Sequence, residues 1–256
     1  MAMVNSAVSS RFIDVMGRKE GFQTAQTLTG FKWIGNKMLD FEKEGVDAVL
    51  GYEEAIGYCC NAKIIVDKDG ISACSVVAEL AALQYAQGKT MKMLLEEIYE
   101  KYGRAVSNNS YLLCYDPPTI TRIFDRLRSG GKGTPLTAKY GDDYIRTVTN
   151  PRTGHAFEIT HVRDLHTGYE SKEEGIPSSS LPQQPDAEML TYTFANGAVL
   201  TIRTSGTEPK IKYYSELTGD NKHKEQVKEE LTDLVEAVVA TCLEPEKNNL
   251  KPPVIQ

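Results

Sequence analysis

The sequence predicts an α/β domain followed by an antiparallel α+β domain. Up to about residue 103, strand-like and helical segments alternate, which is typical of layered α/β structures. The later part contains mainly short strand candidates, with one helix among them and one at the end. We therefore expect two domains, which comprise residues 1–103 and 104–256.

Three helices and one buried strand are predicted in the first domain. Apolar residues recur at helical spacing over residues 31–41, and Gly45 is a typical helix end. The run VDAVLGYEE, residues 46–54, is short and apolar before its two carboxylates, which indicates a buried strand. The segments 71–88 and 90–103 are predicted helices, because each combines apolar residues with a closing glycine.

The second domain is predicted to be rich in strands. Asn196-Gly197 lies between two strand candidates and predicts a type I′ hairpin turn. Helices are predicted within 118–130 and 222–243, the second with an apolar face. The polar, Pro- and Ser-rich segment 166–187 is predicted to be a mobile surface loop. The strand candidates are 110–114, 156–162, 189–194, 198–203 and 210–217.

The composition indicates a soluble protein that lies in the cytoplasm. Hydrophobic residues make up 41% of the 256 residues and charged residues 25%, so the chain can bury a core. The net charge of −6 argues against a general nucleic-acid binder. We see neither an apolar stretch long enough to span a membrane nor a signal peptide. The five cysteines form no C-x-x-C pair, so we expect buried, reduced thiols and no metal site.

The segment RTSGTEPK, residues 203–210, interrupts two strand candidates. It must form a turn, because glycine and proline end strand ladders, and a plain turn is one interpretation. The other interpretation is an anion-binding loop, since guanidinium, ammonium, hydroxyl and backbone N–H groups are the donors that phosphate oxygens accept. These donors would come from Arg203, Ser205, Gly206, Thr207 and Lys210.

The segment YEEAIGY, residues 52–58, follows the predicted strand. Ligands gather at the carboxyl ends of strands in α/β folds, and carboxylates there bind sugar hydroxyls strongly. Glu53 is therefore a candidate binding residue, although a solvated loop would have the same composition. Lys32 opens a predicted helix and is interpreted either as a solvated charge or as an anion contact.

Four segments, in order along the chain, resemble motifs of the α-D-phosphohexomutases. TLTGFKWIGNKM is similar to their T-x-T-G-[WF]-K segment, GYEEAIGY stands in place of their G-E-x-S sugar-binding loop, and VDKDGISA resembles the D-K-D-G turn that follows. RTSGTEPK looks like the R-x-S-G-T-E-P phosphate-binding loop of their last domain. Within the family, the chain most resembles the eukaryotic branch of phosphopentomutases and glucose-1,6-bisphosphate synthases. The resemblance covers nearly the whole chain.

The resemblance implies a fold and a set of binding residues. The first domain would be a mixed-sheet, three-layer α/β domain 3, truncated at its N-terminus, and the second a TBP-like domain 4. Glu53 would bind ring hydroxyls, with Glu54 facing either the core or the site. Ala55 and Gly57 replace a serine and a histidine of the family, which suits an enzyme that also accepts pentose phosphates. The residues expected at the sugar phosphate are Thr29, Gly30, Lys32, Glu53, Glu54, Arg203, Ser205, Gly206, Thr207 and Lys210.

The catalytic groups that the resemblance implies are not found in this sequence. Family members transfer a phosphoryl group between a phosphoserine and a sugar phosphate, with Mg²⁺ held by a D-G-D-x-D-R loop. Neither that loop nor a T-x-S-H-N-like segment occurs. We therefore expect no catalytic and no metal-binding residue here. The chain would be the C-terminal half of a phosphosugar mutase, inactive without the missing N-terminal domains, with Mg²⁺ as cofactor and glucose-1,6-bisphosphate as activator of the whole enzyme.

Two other functions stay open at this point. The chain can be a non-catalytic sugar-phosphate-binding product, or an interaction module for nucleic acid or protein, although its acidity counts against nucleic acid. Asp67 and Asp69 are too few for a calcium site, and Trp33 is expected to pack. No role is assigned to the histidines, His155, His161, His166 and His223.

Overall fold

The structure is a computed structural model, and it describes residues 1–130, 144–171 and 181–253. These residues form two compact units. The first comprises Met1–Ala105 and Gly219–Lys224, and the second comprises Val106–Thr218 and Glu225–Gln256, within the described ranges. Among these residues, no helix combines the length and the apolar character that crossing a membrane requires.

Strands and helices alternate in the first unit. Its elements are β1 (Ala2–Ser6), α1 (Phe12–Glu20), β2 (Gln23–Thr27), α2 (Phe31–Lys43), β3 (Ala48–Glu53), β4 (Gly57–Cys59), α3 (Gly70–Ala86) and α4 (Met91–Tyr102). The strand order is β2-β1-β3-β4, with β1 parallel to β2 and β3, and β4 antiparallel to β3. This mixed sheet confirms the predicted fold class. The carboxyl ends of three parallel strands therefore meet at one edge of the sheet.

The core of the first unit lies between helix α2 and one face of the sheet. Ile34 and Met38 of α2 are fully buried there. Ala2 and Val4 of β1 belong to the same buried cluster. Gly51 of β3 permits this close packing, because a Cβ atom at that position would lie 2.5 Å from the Met38 sulfur. The helix predicted from apolar spacing is thus confirmed.

The sequence does not predict strands β1, β2 and β4, for physical reasons. Strand β2 reads QTAQT, which has no apolar alternation, and it lies at an edge of the sheet. Strand β4 has only three residues and begins with Gly57. It is held by antiparallel pairing with the end of β3, which a pattern of side chains does not reveal. The segment 52–58 is therefore a tight hairpin, where a loop was expected.

Helices α3 and α4 begin at side chains that accept backbone hydrogen bonds. Ile71 N–H donates to the Asp69 carboxylate at 3.0 Å, and Ser72 N–H donates to it at 3.3 Å. Met93 N–H donates to the Thr90 hydroxyl at 3.2 Å. Both predicted helices are confirmed. The DKDG segment therefore serves as a helix start.

The second unit consists mainly of antiparallel strands. Strand β5 (Arg104–Ser107) crosses the division between the units, and the further elements are β6 (Ser110–Leu113), α5 (Pro117–Arg128), β7 (Thr147–Thr149), β8 (Ala156–Asp164), β9 (Tyr169–Glu170), β10 (Met189–Phe194), β11 (Val199–Thr204), β12 (Lys210–Gly219) and α6 (Lys224–Val238). The strand order is β5-β12-β11-β10-β8-β7, with β6 paired to β12 and β9 to β8. The antiparallel pairs confirm the predicted α+β fold.

Helices α5 and α6 share a core with one face of this sheet. Phe124 and Leu127 of α5 are fully buried in it, as are Leu231 and Leu234 of α6. Tyr192 of β10 is buried in the same cluster. Because strand side chains alternate between faces, the polar residues between the core positions of β10 and β11 lie on the other face.

The hairpin between β10 and β11 has a different turn from the predicted one. Gly197 has a positive φ of 84°, but Asn196 does not, whereas a type I′ turn needs two positive φ angles. Gly197 N–H donates to the Phe194 carbonyl at 2.8 Å, and Phe194 N–H donates to the Ala198 carbonyl at 2.9 Å. The prediction of type I′ is therefore wrong. The connection follows the pattern of a type I turn completed by a left-handed glycine.

Part of the predicted surface loop at 166–187 is regular structure. Strand β9 lies within it and pairs with the end of β8. Gln184 N–H also donates to the Leu165 carbonyl, at 2.6 Å. Residues 172–180, where most of the Ser- and Glu-rich stretch falls, lie outside the described residues.

Two other expectations need correction. The final helix is not continuous over 222–243, because α6 ends at Val238 and a π-helical turn, Val239–Leu243, follows it. The thiols are not all buried either. Cys59, Cys114 and Cys242 are buried, whereas Cys74 on α3 is exposed.

Candidate functional site

Backbone hydrogen bonds close the loop between β11 and β12. Ser205 N–H donates to the Lys210 carbonyl at 2.9 Å, and Lys210 N–H donates to the Glu208 carbonyl at 2.7 Å. Thr204 N–H donates to the Glu188 carbonyl at 3.1 Å. The loop is thus a tight turn, and the last residue of β11 before it is tied to the residue that precedes β10.

Arg203 has a donor without an acceptor at the base of this loop. Its guanidinium carbon lies 5.6 Å from the centre of the Tyr214 ring, and its Nη2 donates to the Tyr214 hydroxyl at 3.4 Å. Its Nε is buried, and among the described residues nothing accepts a hydrogen bond from it. A buried, charged donor without an acceptor costs free energy. An anion that binds there would remove that cost.

Two lysine side chains approach one carboxylate at the loop. Lys210 Nζ donates to Glu208 Oε1 at 2.6 Å, and Lys212 Nζ lies 3.6 Å from Glu208 Oε2. The hydrogen bond from Lys210 holds the pKa of the Glu208 carboxyl below its ordinary value, and that carboxylate raises the pKa of Lys210. Together with Arg203, the loop carries three positive charges and one negative charge, so its net charge favours an anion.

Sequence reasoning missed Lys212. It lies directly opposite Arg203 in the register of β11 and β12, on the same face of the sheet. Counting every second residue from Lys210 along the predicted strand would have found it. Lys210 was expected to add a point charge; its Nζ donates to Glu208 and lies 4.3 Å from the centre of the Tyr111 ring.

The tip of the loop is open to solvent. Gly206 and Thr207 are exposed, and Ser205 is half-buried. A Cβ atom placed on Gly206 would meet nothing within 4 Å. The hydroxyl groups of Ser205 and Thr207 are therefore reachable by a small anion from solution.

A buried ionic network holds the strand beside the loop. Arg128 is 2% exposed, and its Nε donates to Asp164 Oδ2 at 2.7 Å while its Nη2 donates to Glu188. The Tyr144 hydroxyl donates to the same Asp164 oxygen at 2.9 Å. Burial opposes the charge of Arg128, but the hydrogen bonds to Glu188 and Asp164 outweigh it and raise the pKa of Arg128. Since the Glu188 carbonyl accepts from Thr204, this network fixes one side of the loop.

Glu53 in the first unit lies at the carboxyl edge of the sheet, as expected for a binding residue. It is nearly buried, and Lys68 Nζ donates to its Oε1 at 3.1 Å. Lys68 Nζ also lies 5.9 Å from the centre of the Phe31 ring, at the start of α2. Sequence reasoning missed Lys68, because its segment was interpreted only as a turn. The carboxylate is thus held in one orientation by a lysine that remains half-exposed to solvent.

Gly57 allows Glu53 to keep that orientation. A Cβ atom at Gly57 would lie 2.9 Å from Glu53 Oε1 and 3.0 Å from its Cγ, closer than real contacts. Ile56, one residue earlier, has a positive φ of 59° and a side chain that is 82% exposed. A β-branched residue in this conformation is strained by about 1–3 kcal/mol. The turn that carries Glu53 is therefore tightly constrained.

Glu54 is half-buried and lies beside two serines of the first unit. Ser6 Oγ donates to its Oε2 at 3.4 Å, and Ser6 Oγ lies 2.7 Å from Ser9 Oγ. Both serines are buried; Ser6 is the last residue of β1, and Ser9 follows it by three positions. Sequence reasoning missed them because it did not predict β1. The strand register, which pairs β1 with β3, brings them beside Glu54.

The start of α2 carries the remaining candidates of the first unit. Gly30 has a positive φ of 107°, and no side chain caps the helix there. Thr29 precedes it and is half-buried. Lys32 is exposed, and its Nζ lies 5.5 Å from the centre of the Trp33 ring. Trp33 is itself exposed, so the expectation that it packs is wrong.

The residues that the structure describes do not fit a metal ion. No group of three or more His, Cys, Asp or Glu side chains among them could hold one. Two histidines instead contact single carboxylates: His155 Nδ1 lies 3.0 Å from Asp233 Oδ2, and His161 Nε2 lies 3.2 Å from Glu170 Oε1.

Two parts of the chain match two domains of one protein family. Residues 1–102 match the phosphoglucomutase/phosphomannomutase alpha/beta/alpha domain III, and residues 148–234 match the C-terminal domain of the same family. The chain is 41% identical to glucose 1,6-bisphosphate synthase of Homo sapiens over 250 residues, which are 97% of this chain and 38% of the relative. It is 40% identical to phosphopentomutase of Homo sapiens over 252 residues, which are 98% of this chain and 39% of the relative.

A solved structure has the same fold. The open form of parafusin, a phosphoglucomutase from Paramecium, matches with a TM-score of 0.64 and 16% identity, over 99% of this chain and 39% of that one. The chain spans about two fifths of the length of these proteins. The two domain matches lie in family order and agree with the mixed sheet and the antiparallel sheet described above. The chain therefore belongs to the phosphoglucomutase/phosphomannomutase family and contains its domain III and its C-terminal domain.

Proposed function

We propose that this chain is the sugar- and phosphate-binding part of a phosphosugar mutase. The whole protein would interconvert sugar 1-phosphates with 5- or 6-phosphates through a bisphosphate intermediate. The observation that carries the proposal is the buried Arg203 Nε without an acceptor, on a loop with three cations and one carboxylate. The relatives are named phosphopentomutase and glucose 1,6-bisphosphate synthase, which supports a sugar phosphate as the ligand.

The loop 203–210 would bind the phosphate group that is not transferred. Arg203 would supply a fork of two N–H donors, and Lys210 and Lys212 would supply positive charge. The hydroxyl groups of Ser205 and Thr207 would donate to further phosphate oxygens, with Gly206 leaving the tip accessible. A phosphate held in this way fixes one end of the sugar, and positioning is a large part of catalysis in phosphoryl transfer.

The carboxyl edge of the first sheet would bind sugar hydroxyls. Glu53 accepts hydrogen bonds and is oriented by Lys68, while Glu54, with Ser6 beside it, offers a second acceptor. The uncapped start of α2, with Thr29, Gly30 and Lys32, would contact an anionic group. Because Gly57 leaves no room for a larger side chain near Glu53, the turn offers fewer hydroxyl partners than the family motif does. We take this to favour ligands that include pentose phosphates.

The groups that transfer the phosphoryl would come from other domains of the whole protein. Those domains would provide the phosphoserine and the residues that hold Mg²⁺, and glucose-1,6-bisphosphate would act as activator. This chain would bind and orient the substrate and would be inactive alone. We also place the protein in the cytoplasm, as its composition predicts.

Binding is tested first by NMR titration of the 256-residue chain with inorganic phosphate, ribose 5-phosphate and ribose. We expect phosphate and ribose 5-phosphate to shift the amide signals of Ser205, Gly206 and Lys212, and ribose alone to leave them in place. Arg203→Ala should remove these shifts, whereas Arg152→Ala, at an exposed arginine of the same unit, should not. Equal shifts in both variants would contradict the phosphate loop.

Activity is tested by fusing the preceding part of human phosphopentomutase to this chain. A coupled assay with ribose 1-phosphate and glucose 1-phosphate should detect turnover by the fusion and none by the chain alone. Sugar-phosphate binding without turnover in a folded fusion would favour the alternative, a non-catalytic sugar-phosphate-binding protein. Turnover by the isolated chain would refute the assignment of the catalytic groups to other domains.

A further inference from the structure

Tyr115 is a large side chain that the second unit leaves in solvent. It is 72% exposed, and among the described residues of this unit no other large hydrophobic side chain is exposed. The other tyrosine and phenylalanine rings that are described there are buried or half-buried. A single exposed apolar residue needs no explanation by itself, so the neighbours of Tyr115 decide what it can do.

Strand β6 brings Tyr115 to the end of the loop between β11 and β12. Leu113, the last residue of β6, pairs with Lys210, the first residue of β12. Cys114 N–H then donates to the Pro209 carbonyl at 2.9 Å. Tyr115 is the next residue, and consecutive Cα atoms are about 3.8 Å apart. The side chain of Tyr115 therefore starts within one residue of the loop.

The residue after Tyr115 holds it from the other side. The Asp116 carboxylate accepts a hydrogen bond from Thr119 N–H at 3.2 Å and one from the Thr119 hydroxyl at 2.7 Å. Asp116 is thus the N-cap of α5, a helix whose Phe124 and Leu127 lie in the core. Tyr115 stands between a strand pair and a capped helix. Its backbone is fixed, while its side chain remains exposed.

A second tyrosine of the same strand lies among the cations of the loop. Tyr111 is opposite Lys212 in the register of β6 and β12, and Lys212 is opposite Arg203 in the register of β11 and β12. Residues directly opposite each other share a face of the sheet, so Tyr111 is on the face that carries Arg203. Lys210 Nζ lies 4.3 Å from the centre of the Tyr111 ring.

Both tyrosines act on Lys210. The hydrogen bond to Glu208 is the largest cause of the raised pKa of Lys210, and the phenol groups of Tyr111 and Tyr115 act in the same direction. The Tyr111 ring packs on that ammonium group. The Tyr115 ring is exposed, so a ligand that extends from the loop can cover it.

The donors of the loop reach a group that all phosphate compounds share. Arg203, Lys210 and Lys212 would contact phosphate oxygens, which inorganic phosphate and sugar phosphates both have. A sugar ring adds C–H groups on its faces and hydroxyl groups at its edge. A tyrosine matches these surfaces, because its ring is apolar and its tip carries a hydroxyl. Ligand sites commonly combine aromatic walls with a few polar groups that fix orientation.

We propose that Tyr115 determines the specificity of this loop for sugar phosphates, because its ring packs on the sugar ring of the bound ester. Inorganic phosphate makes no such contact. The inference rests on the proposed function of the loop and adds a residue of the second unit that recognises the sugar. All the residues that carry it belong to the second unit.

The test compares the affinities of the 256-residue chain for inorganic phosphate, glycerol 3-phosphate and ribose 5-phosphate, measured by calorimetry. We expect Tyr115→Ala to weaken binding of ribose 5-phosphate about three- to tenfold, the contribution of one aromatic contact, and to change that of inorganic phosphate by less than about twofold. Glycerol 3-phosphate is an ester without a ring, so its loss should be smaller. Tyr115→Phe keeps the ring and should retain most of the affinity for ribose 5-phosphate.

The control is Tyr85→Ala, since Tyr85 is 62% exposed and belongs to the first unit. It should leave all three affinities unchanged. Because Tyr115 is exposed, amide NMR spectra of its variants should show an intact fold. In the parent chain, nuclear Overhauser cross-peaks should connect the Tyr115 ring protons with ribose C–H protons, which a purely structural role would not produce.

Two outcomes would overturn the proposal. One is that Tyr115→Ala weakens binding of inorganic phosphate and ribose 5-phosphate by the same factor, which would place its effect on the phosphate. The other is that neither affinity changes and the cross-peaks are absent from the saturated complex. In both cases the parent chain binds phosphate and the proposed function stands. If the parent chain binds none of the three ligands, the proposed function fails and this inference fails with it.

Discussion

Replacing Arg203 by alanine is the sharpest test of the proposal that the loop 203–210 binds phosphate. The substitution removes a guanidinium whose Nε is buried without an acceptor and whose Nη2 makes only a long bond to Tyr214. A hydrogen bond between charged groups contributes about 1.5–3 kcal/mol, and the loss of two donors to one phosphate should cost about 2–4 kcal/mol. This corresponds to a phosphate affinity that is about 30 to 700 times weaker.

Stability should respond differently from binding. Because Arg203 Nε has no acceptor in the described structure, its removal takes away little that stabilises the fold. We expect the free energy of unfolding to change by less than about 1 kcal/mol, mainly through the loss of the contact with Tyr214. Urea denaturation of the variant and the parent chain measures this change.

The assay is titration of inorganic phosphate and ribose 5-phosphate, followed by calorimetry and NMR. Arg203→Lys keeps the charge but loses the planar fork, so its affinity should lie between those of the parent and the alanine variant. Arg152→Ala controls for the loss of one positive charge. If Arg203→Ala binds phosphate as tightly as the parent, the loop is a plain turn. If it unfolds the protein, Arg203 has a structural role that the geometry does not show.

Three further predictions follow from buried or strained groups. Arg128→Met leaves the fully buried Asp164 without its cation and should lower the free energy of unfolding by about 3–5 kcal/mol. Urea denaturation measures this change, and a loss below about 1 kcal/mol would contradict the importance of the ion pair. Ile56→Gly should raise stability by about 0.5–1 kcal/mol, since it relieves a left-handed backbone while losing an exposed side chain, and a lower melting temperature would argue against strain. Burial raises the pKa of the Cys242 thiol to about 12, so the thiol stays protonated at pH 8. Iodoacetamide should therefore modify the exposed Cys74 and spare Cys242 in the folded chain. Mass spectrometry measures both, and modification of Cys242 before Cys74 would contradict the prediction.

The elements that were best predicted from the sequence are those whose apolar residues recur at a regular period and form one buried face. Helix α2 was predictable because Ile34 and Met38 recur at a helical period and pack on the sheet. Strand β2 was not, because QTAQT is held by its backbone pairing to β1 and shows no apolar alternation. Helix α3 was predicted as a helix, but its exposure on all sides was not, since periodicity does not tell which polypeptide covers an apolar face.

For the candidate site, contiguous motifs were predictable and long-range neighbours were not. Arg203 and Glu53 stand in recognisable local segments. Lys68 approaches Glu53 only because β4 turns back along β3, and Ser6 approaches Glu54 only because β1 pairs with β3. Strand register and pairing decide these contacts, and a linear pattern does not encode them directly.

Glu208 gives the loop 203–210 an internal counterion. Its carboxylate neutralises Lys210 and approaches Lys212, which weakens the repulsion between the two cations. A phosphate bound at this loop would compete with the Glu208 carboxylate, which would lower its affinity and speed its release. Glu208→Gln should therefore tighten phosphate binding and slow its dissociation, which surface plasmon resonance would measure. In this arrangement one anion, the Glu208 carboxylate, would give way to another, the phosphate, at the same lysines.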